Sequence, residues 1–384
     1  MPHISRRWFL GSGVAGCALA VSGKTLFAQQ ATAAAPPEKA AVPDEFSGTT
    51  WHDVLDWGVE GKGFADTEGP FDRLPARAKG VVRDAVWGLS RHSSGMMVRF
   101  RTDATRIFAH YAVTSSKLEM PHMPATGVSG LDLYGRDDDG KWKWISVVRP
   151  SNREMKVTLA NGLRPGMREY SVYLPLYNGT EFLKIGVPAD CIFEPIAPRM
   201  AKPIVFYGTS ITHGACASRP GMPHPAILGR RLDRPVINLG FSGNGKLEKE
   251  VGQFLVELNP AVYVLDCLPN MNAAEVAERT QPMVSQLRAA HPTVPIVLVE
   301  DRSYADSWII ESRKTRNESS RKAFREAYQK LVDAGVERLW YIPGDDLLAQ
   351  DRDDTTDGSH PSDLGFFHHA NAFEPVLRKA LDSV

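Results

Sequence analysis

Between residues 204 and 344 the chain repeats one pattern five times, and that pattern decides its architecture. "IVFYG" (204–208), "VINLG" (236–240), "AVYVLDC" (261–267), "PIVLVED" (295–301) and "RLWYIPG" (338–344) are near-continuous apolar runs of strand length. Helix-forming stretches separate them, among them "KLEKEVGQFLVEL", "EVAERTQPMVSQLRAA" and "SSRKAFREAYQKLVDAG". A strand without polar alternation is buried on both faces, and helices between strands supply the cover. The pattern therefore predicts a five-stranded parallel sheet between helical layers, closed by a helix in "DLGFFHHANAFEPVLRKAL". In open sheets of this kind the functional crevice lies beyond the carboxyl ends of the strands.

Residues 50 to about 195 follow a different rhythm. "MMVRFRT", "RIFAHYAV", "GLDLYGRD", "KWKWISVV", "EMKVTLAN", "REYSVYLPL" and "EFLKIGV" are short, aromatic or β-branched, and divided by turn signals such as "DDDG", "ANG" and "YNG". In "REYSVYLPL", Tyr170, Val172, Leu174 and Leu176 alternate onto one face. A sandwich of about seven strands is expected. The fold class is α/β, with an all-β sandwich over 48–197 ahead of an α/β domain over 198–384. The Pro-containing "EPIAPRMAKP" marks the change of rhythm.

The first residues read as a processing signal. Arg6 and Arg7 in "SRRWFL" precede the short, Gly-rich apolar run "GSGVAGCALAV", with Ala28 as a cleavage point. Paired arginines before a weakly apolar core mark export through the Tat route, to the periplasm or the medium, and the run is too short for a membrane span. "VAGC" also resembles a lipoprotein processing site that would leave a lipid on Cys17. Residues 29–47, rich in Ala and Pro, read as a spacer. Loss of residues 1–28 removes Arg6, Arg7 and Lys24, leaving 42 basic against 45 acidic residues, a net of −3. No basic stripe suggests nucleic acid as a partner. Three cysteines then remain, Cys191, Cys216 and Cys267, an odd number that excludes a fully paired framework, and free buried thiols are expected.

The strand ends carry the candidate chemistry. Ser210 lies two residues past the first strand, in "VFYGTSITHG", and is either an exposed nucleophile or a hydroxyl capping the next helix. The second strand runs into "NLGFSGNG", where Gly240, Gly243 and Gly245 let backbone approach a ligand. The third ends at "LDCLPN", with Asn270 just beyond it, and "DGSHPSD" sets Asp357 and His360 three residues apart before the final helix. A serine nucleophile needs a base within hydrogen-bond reach and a group that orients the base. Acyl transfer also needs preformed donors for the oxyanion.

In this order these residues resemble the SGNH (GDSL-type) hydrolases. The markers fall on Ser210 in "GTSI", Gly243 in "GFSG", Asn270 in "LPN" and His360 in "DGSH". The resemblance covers about residues 200 to 384. It implies a flavodoxin-like three-layer α/β/α domain, Ser210 as nucleophile, His360 as base and Asp357 as its partner. The Ser210 N–H, Gly243 N–H and Asn270 amide would form the oxyanion hole, with no cofactor. Thr209 stands where the family usually has Asp, and "LPNM" replaces its Gly-x-Asn-Asp. "GLDLY" (130–134) resembles the marker of a β domain that precedes SGNH domains in one bacterial subgroup, some members of which are similar to carbohydrate acetylesterases. That resemblance implies a β domain that helps to hold a glycan.

Arg302, after the fourth strand, and His213, three residues after Ser210, are further candidates for substrate contact. "DRDDTTDGSHPSD" is acid-rich but lacks calcium-loop spacing, so no metal is expected. The expected function is an exported serine esterase that removes short acyl groups, acetyl foremost, from a small or polymeric carbohydrate ester. A lipase, lysophospholipase or thioesterase of the same fold is the alternative within hydrolases. A catalytically degenerate glycan-binding protein is the alternative outside them.

Overall fold

A computed structural model describes residues 44–383, and residues from Phe46 onward form one compact unit. The leader over 1–28, Cys17 and nearly all of the spacer lie outside the described residues. No helix among the described residues is long and apolar enough to cross a membrane.

Among the described residues, the first half holds nine strands and two short α-helices. The strands are β1 (Thr49–Asp53), β2 (Met97–Thr102), β3 (Arg106–Val113), β4 (Asp132–Arg136), β5 (Trp142–Val147), β6 (Glu154–Asn161), β7 (Arg168–Tyr173), β8 (Thr180–Pro188) and β9 (Phe193–Ile196). The helices are α1 (Asp84–Ser90) and α2 (Ala125–Val128). One antiparallel sheet has the order β1-β8-β3-β6 and the other β5-β4-β7-β2-β9. Ile107, Ala109, Leu183 and Ile185 of the first meet Phe100, Leu133, Tyr170 and Val172 of the second in one buried core. All seven expected strands form. The two additional ones, β1 and β9, were not legible: "TTWHD" has no clear alternation, and "FEPI" carries Pro195, tolerated because β9 is an edge strand.

The second half is the doubly wound sheet. Strands β10 (Ile204–Gly208), β11 (Val236–Gly240), β12 (Val262–Asp266), β13 (Ile296–Val299) and β14 (Leu339–Ile342) pair in parallel in the order β11-β10-β12-β13-β14. Helices α3 (Ser210–His213), α4 (His224–Arg231), α5 (Lys249–Leu255), α6 (Ala273–Ala290), α7 (Glu311–Asp333) and α8 (Asp363–Asp382) connect and close it. Because side chains alternate across a strand, Val205 and Tyr207 face the layer of α5, α6 and α7, while Ile204 and Phe206 face α4 and α8. Strand β10 is interior and pairs with both β11 and β12, so the direction of winding reverses there. The carboxyl end of β10 is therefore the switch point where such sheets place their ligands.

The two halves share their interiors. Phe64, Leu74, Val82 and Val86 of the first half pack into the core over β10, β11 and β12. Within "YLPLY", Leu174 still belongs to the sandwich core, whereas Leu176 and Tyr177 enter the core beneath α4 and α8. Within "GLDLY", Leu131 and Leu133 fill the sandwich core, while Asp132 and Tyr134 face the seam. Asp132, fully buried, accepts the Gly221 N–H at 2.8 Å, Arg219 at 2.9 Å and the Trp144 indole N–H at 2.9 Å. Gly130 is required there, since a Cβ would run into the Thr126 carbonyl.

Candidate active site

Three loops at the carboxyl edge of the parallel sheet converge on Ser210. The turn out of β10 is capped by Thr209, whose extended backbone lets its hydroxyl accept the Ile211 N–H at 3.3 Å. Ser210 is thus the first helical residue and not the cap, and its side chain is available for other partners. Its Oγ lies 2.8 Å from His360 Nε2. His360 Nδ1 lies 2.8 Å from Asp357 Oδ2, and Asp357 Oδ1 accepts the backbone N–H groups of Ser359 at 3.0 Å and His360 at 2.8 Å. Partial burial pushes the Asp357 carboxyl up, but the N–H groups and the imidazole outweigh it and hold the group below the usual carboxylate range. An ionised Asp357 takes a proton on His360 Nδ1, which leaves the Nε2 lone pair facing the serine hydroxyl. Ser210 is 8% exposed.

The donors lie on the two flanking loops. Gly243 has φ +68° with open space around it, and neither its N–H nor that of Ser210 has an acceptor among the described residues. Asn270 ends the turn Leu268–Asn270, and its Nδ2 donates to the Gly245 carbonyl at 3.3 Å, which leaves its second N–H for another acceptor. The Phe241 N–H donates to the Gly208 carbonyl at 2.9 Å, tying this loop to the end of β10. Gly240 and Gly245 differ from the expectation that they make room for a ligand. A Cβ on Gly245 would meet the Gly208 carbonyl and one on Gly240 would meet the His213 N–H, so both serve close packing of protein on protein.

Two expected substrate contacts are corrected by burial. Arg302 is 2% exposed; its Nε donates to the Ser359 carbonyl at 2.8 Å, while its other nitrogens bond Asp301 and the Ser359 hydroxyl. It supports the loop of Asp357 and His360 from below. His213 is fully buried, stacked on Tyr177 at 4.1 Å, with Nε2 2.8 Å from the Leu176 carbonyl. Burial, reinforced by the charge of Arg73, holds His213 far below the ordinary imidazole range, so its ring is neutral. Both side chains were misjudged because nearness in sequence to a strand end says nothing of the direction a side chain takes.

Sequence reasoning also missed residues that the first half contributes. Arg73, 1% exposed, donates to the carbonyls of Leu89 (2.6 Å), His92 (2.9 Å), Asn238 (3.1 Å) and Gly240 (2.7 Å), and lies 5.1 Å over the Phe241 ring. The Tyr177 hydroxyl donates to the Ser210 carbonyl at 3.3 Å. His122, exposed on a loop between Pro121 and Pro124, lies 6.1 Å from His360 between ring centres. Beneath the serine, the Thr212 hydroxyl donates to Asp266 Oδ2 at 2.7 Å, and burial raises the Asp266 carboxyl to about 7. His224, 3.8 Å from Asp266, is driven by burial far below its usual range, so this contact is a neutral one at mildly acidic pH and not an ion pair. Cys191, Cys216 and Cys267 are free thiols, and burial pushes Cys216 up to about 11.

Residues 201–378 match the model of the GDSL-like lipase/acylhydrolase family, and residues 49–193 match that of the N-terminus of SGNH-hydrolase-type esterases. Among solved structures, a GDSL-like lipase of Bacteroides ovatus is 32% identical with a TM-score of 0.83, the match covering 87% of this chain and 98% of that one. A family two carbohydrate esterase of Cellvibrio japonicus (14% identity, TM-score 0.57, 87% and 98% covered) shares the fold. So does an acetyl xylan esterase of Butyrivibrio proteoclasticus (11% identity, TM-score 0.54, 88% and 100% covered). No curated protein matches the chain.

Proposed function

The chain belongs to the GDSL-like lipase/acylhydrolase family as an SGNH-type esterase, and on that basis we propose that it removes short acyl groups, acetyl foremost, from a carbohydrate through an acyl-enzyme on Ser210. The observation that carries this reading is the unbroken hydrogen-bond chain from Ser210 Oγ through His360 to Asp357. As the Ser210 oxygen bonds to the ester carbonyl carbon, its proton passes to His360 Nε2. The carbonyl oxygen becomes an oxyanion, received by the Ser210 and Gly243 N–H groups and the free N–H of Asn270. Collapse breaks the bond to the sugar oxygen, which takes the proton from His360 and leaves as an alcohol. Water then adds to the acyl carbon, giving its proton to His360, and the proton returns to Ser210 as the acid departs.

A small acyl group and a polar leaving group suit the surroundings. His122 flanks His360, and the α/β half carries no long apolar insertion that would build an acyl tunnel. The fold is shared with carbohydrate esterases, including one that acts on acetyl xylan. Export through the Tat route belongs to the same proposal and rests on Arg6 and Arg7. Replacing both with lysine should leave the uncleaved chain inside the cell.

The test is hydrolysis of p-nitrophenyl esters from acetate to long acyl chains, followed by acetylated xylo-oligosaccharides, on the wild type and on Ser210→Ala. Acetate preference, with activity lowered about 10³-fold or more in the variant, supports the reading. Preference for long chains moves the substrate to lipids or thioesters, and activity that survives in the variant overturns the mechanism.

A further inference from the structure

Six residues after the nucleophile the chain turns back, and Cys216 brings its thiol toward the loop of the acid and base. One ligand atom each from Cys216, Asp357 and His360 lie within 4.8 Å of one another, the only such group of three among the described residues. Cys216 is 8% exposed, while the side chains of Asp357 and His360 are 41% and 24% exposed, so the cluster opens to solvent on the carboxylate side. We propose that these three side chains form a binding site for a thiophilic divalent cation, Zn²⁺ in the first instance, whose occupation switches the esterase off. This regulation rests on the reading of Ser210, His360 and Asp357 as the reacting set.

The donor set decides the class of ion. A thiolate, an imidazole and a carboxylate are the ligands of zinc and its neighbours, whereas calcium and magnesium take oxygen alone. Zinc–ligand bonds of about 2.0 to 2.3 Å put donors on a tetrahedral ion roughly 3.3 to 3.7 Å apart. The widest separation therefore closes by at most about 1.5 Å, and where Nδ1 is the ligand it opens by about 0.5 Å from Asp357 Oδ2; both changes are within the reach of a rotation about the Cys216 Cα–Cβ bond and a small shift of the partly exposed 356–359 segment. The fourth position falls to water or to Ser210 Oγ, which is 2.8 Å from His360. When the sulfur–metal bond forms, the thiol proton leaves to solvent; no electron is transferred.

Inhibition follows whichever ring nitrogen the ion takes. On Nε2 it occupies the lone pair that accepts the serine proton. On Nδ1 it displaces the bond to Asp357 and fixes the opposite tautomer. Cys216 makes no hydrogen bond to Ser210 or to the oxyanion donors, so its removal spares the reaction while deleting a metal ligand.

The experiment uses the full chain, stripped with EDTA and assayed on p-nitrophenyl acetate during titration with ZnCl₂, with MgCl₂ and CaCl₂ as controls. Zinc should lower the wild-type rate at least about tenfold at micromolar concentration, reversibly by EDTA, with no response to magnesium or calcium. Cys216→Ser and Cys216→Ala should keep the metal-free rate within about twofold and require at least about tenfold more zinc for the same inhibition. Cobalt(II) gives a readout independent of turnover: a sulfur-to-cobalt charge-transfer band in the wild type and in Ser210→Ala, absent from Cys216→Ser. Equal zinc sensitivity with and without Cys216, or no such band in the wild type, overturns the site. If the metal-free wild type hydrolyses no ester, the acyl-hydrolase reading falls, while the cobalt band still judges the metal site.

Discussion

Arg73 Nη1 lies 2.7 Å from the carbonyl oxygen of Gly240, a hydrogen bond that joins residues 167 positions apart. Gly240 is the last residue of β11 and Phe241, under the same guanidinium, opens the loop of Gly243. One buried side chain from the first half thus fixes the base of a donor loop in the second.

Arg73→Lys keeps the charge but loses the planar fork that spans four carbonyls. Several buried carbonyls would be left without donors, at a cost of about 2–4 kcal/mol measurable by chemical denaturation. If the guanidinium positions the loop, kcat on p-nitrophenyl acetate should fall about tenfold or more with KM nearly unchanged. A variant that is less stable but turns over normally would reduce Arg73 to a structural brace.

Asp357→Asn should preserve the loop and lose the chemistry. The amide presents an N–H to His360 Nδ1 and moves the imidazole proton to Nε2, where it faces the serine hydroxyl. A drop of about 10³- to 10⁴-fold in kcat is expected, with an unchanged circular dichroism spectrum.

The burial of Asp266 gives stability a definite pH slope. Its folded carboxyl titrates near 7, against about 3.9 in an unfolded chain. Between these values the folded state holds the proton and the unfolded state does not, so this group's contribution falls as pH rises from about 4 to 7 and then levels off. The slope is roughly 1.4 kcal/mol per pH unit at most. Asp266→Asn should remove it: the melting temperature of the variant should gain on the wild type between pH 5 and pH 7.5. Parallel curves would show that the group titrates elsewhere.

The two loop glycines should separate cleanly. Gly245→Ala forces a Cβ against the Gly208 carbonyl, and a clash with backbone should cost about 3 kcal/mol or more and displace the partner of Asn270. Gly243→Ala meets open space and strains only its φ of +68°, costing about 1–2 kcal/mol while keeping the N–H. Thermal denaturation with the acetate assay distinguishes them, and equal damage would contradict the geometry.

The sheet was legible because burial on both faces leaves an unmistakable apolar run, and Ser210, Asp357 and His360 because each follows an element in the order the chemistry needs. The strands β1 and β9 were not, being short and, in β9, interrupted by Pro195. Arg302 and His213 were placed at the correct edge and pointed the wrong way, since Ser359 and Tyr177, which claim them, are known as partners only once the chain is folded. Arg73, His122 and Tyr177 left no signal. They act across a seam, and periodicity reports only which face of its own element a residue occupies.

That seam is crossed within a few residues, where Leu174 lies in one interior and Leu176 and Tyr177 in the other. Such a chain cannot be traded piecewise. A graft that replaced the sandwich with a foreign one would carry off the Arg73 clamp and the Tyr177 hydroxyl behind the nucleophile, and would open the core beside β10. An exchange that keeps the site intact therefore has to move both halves together.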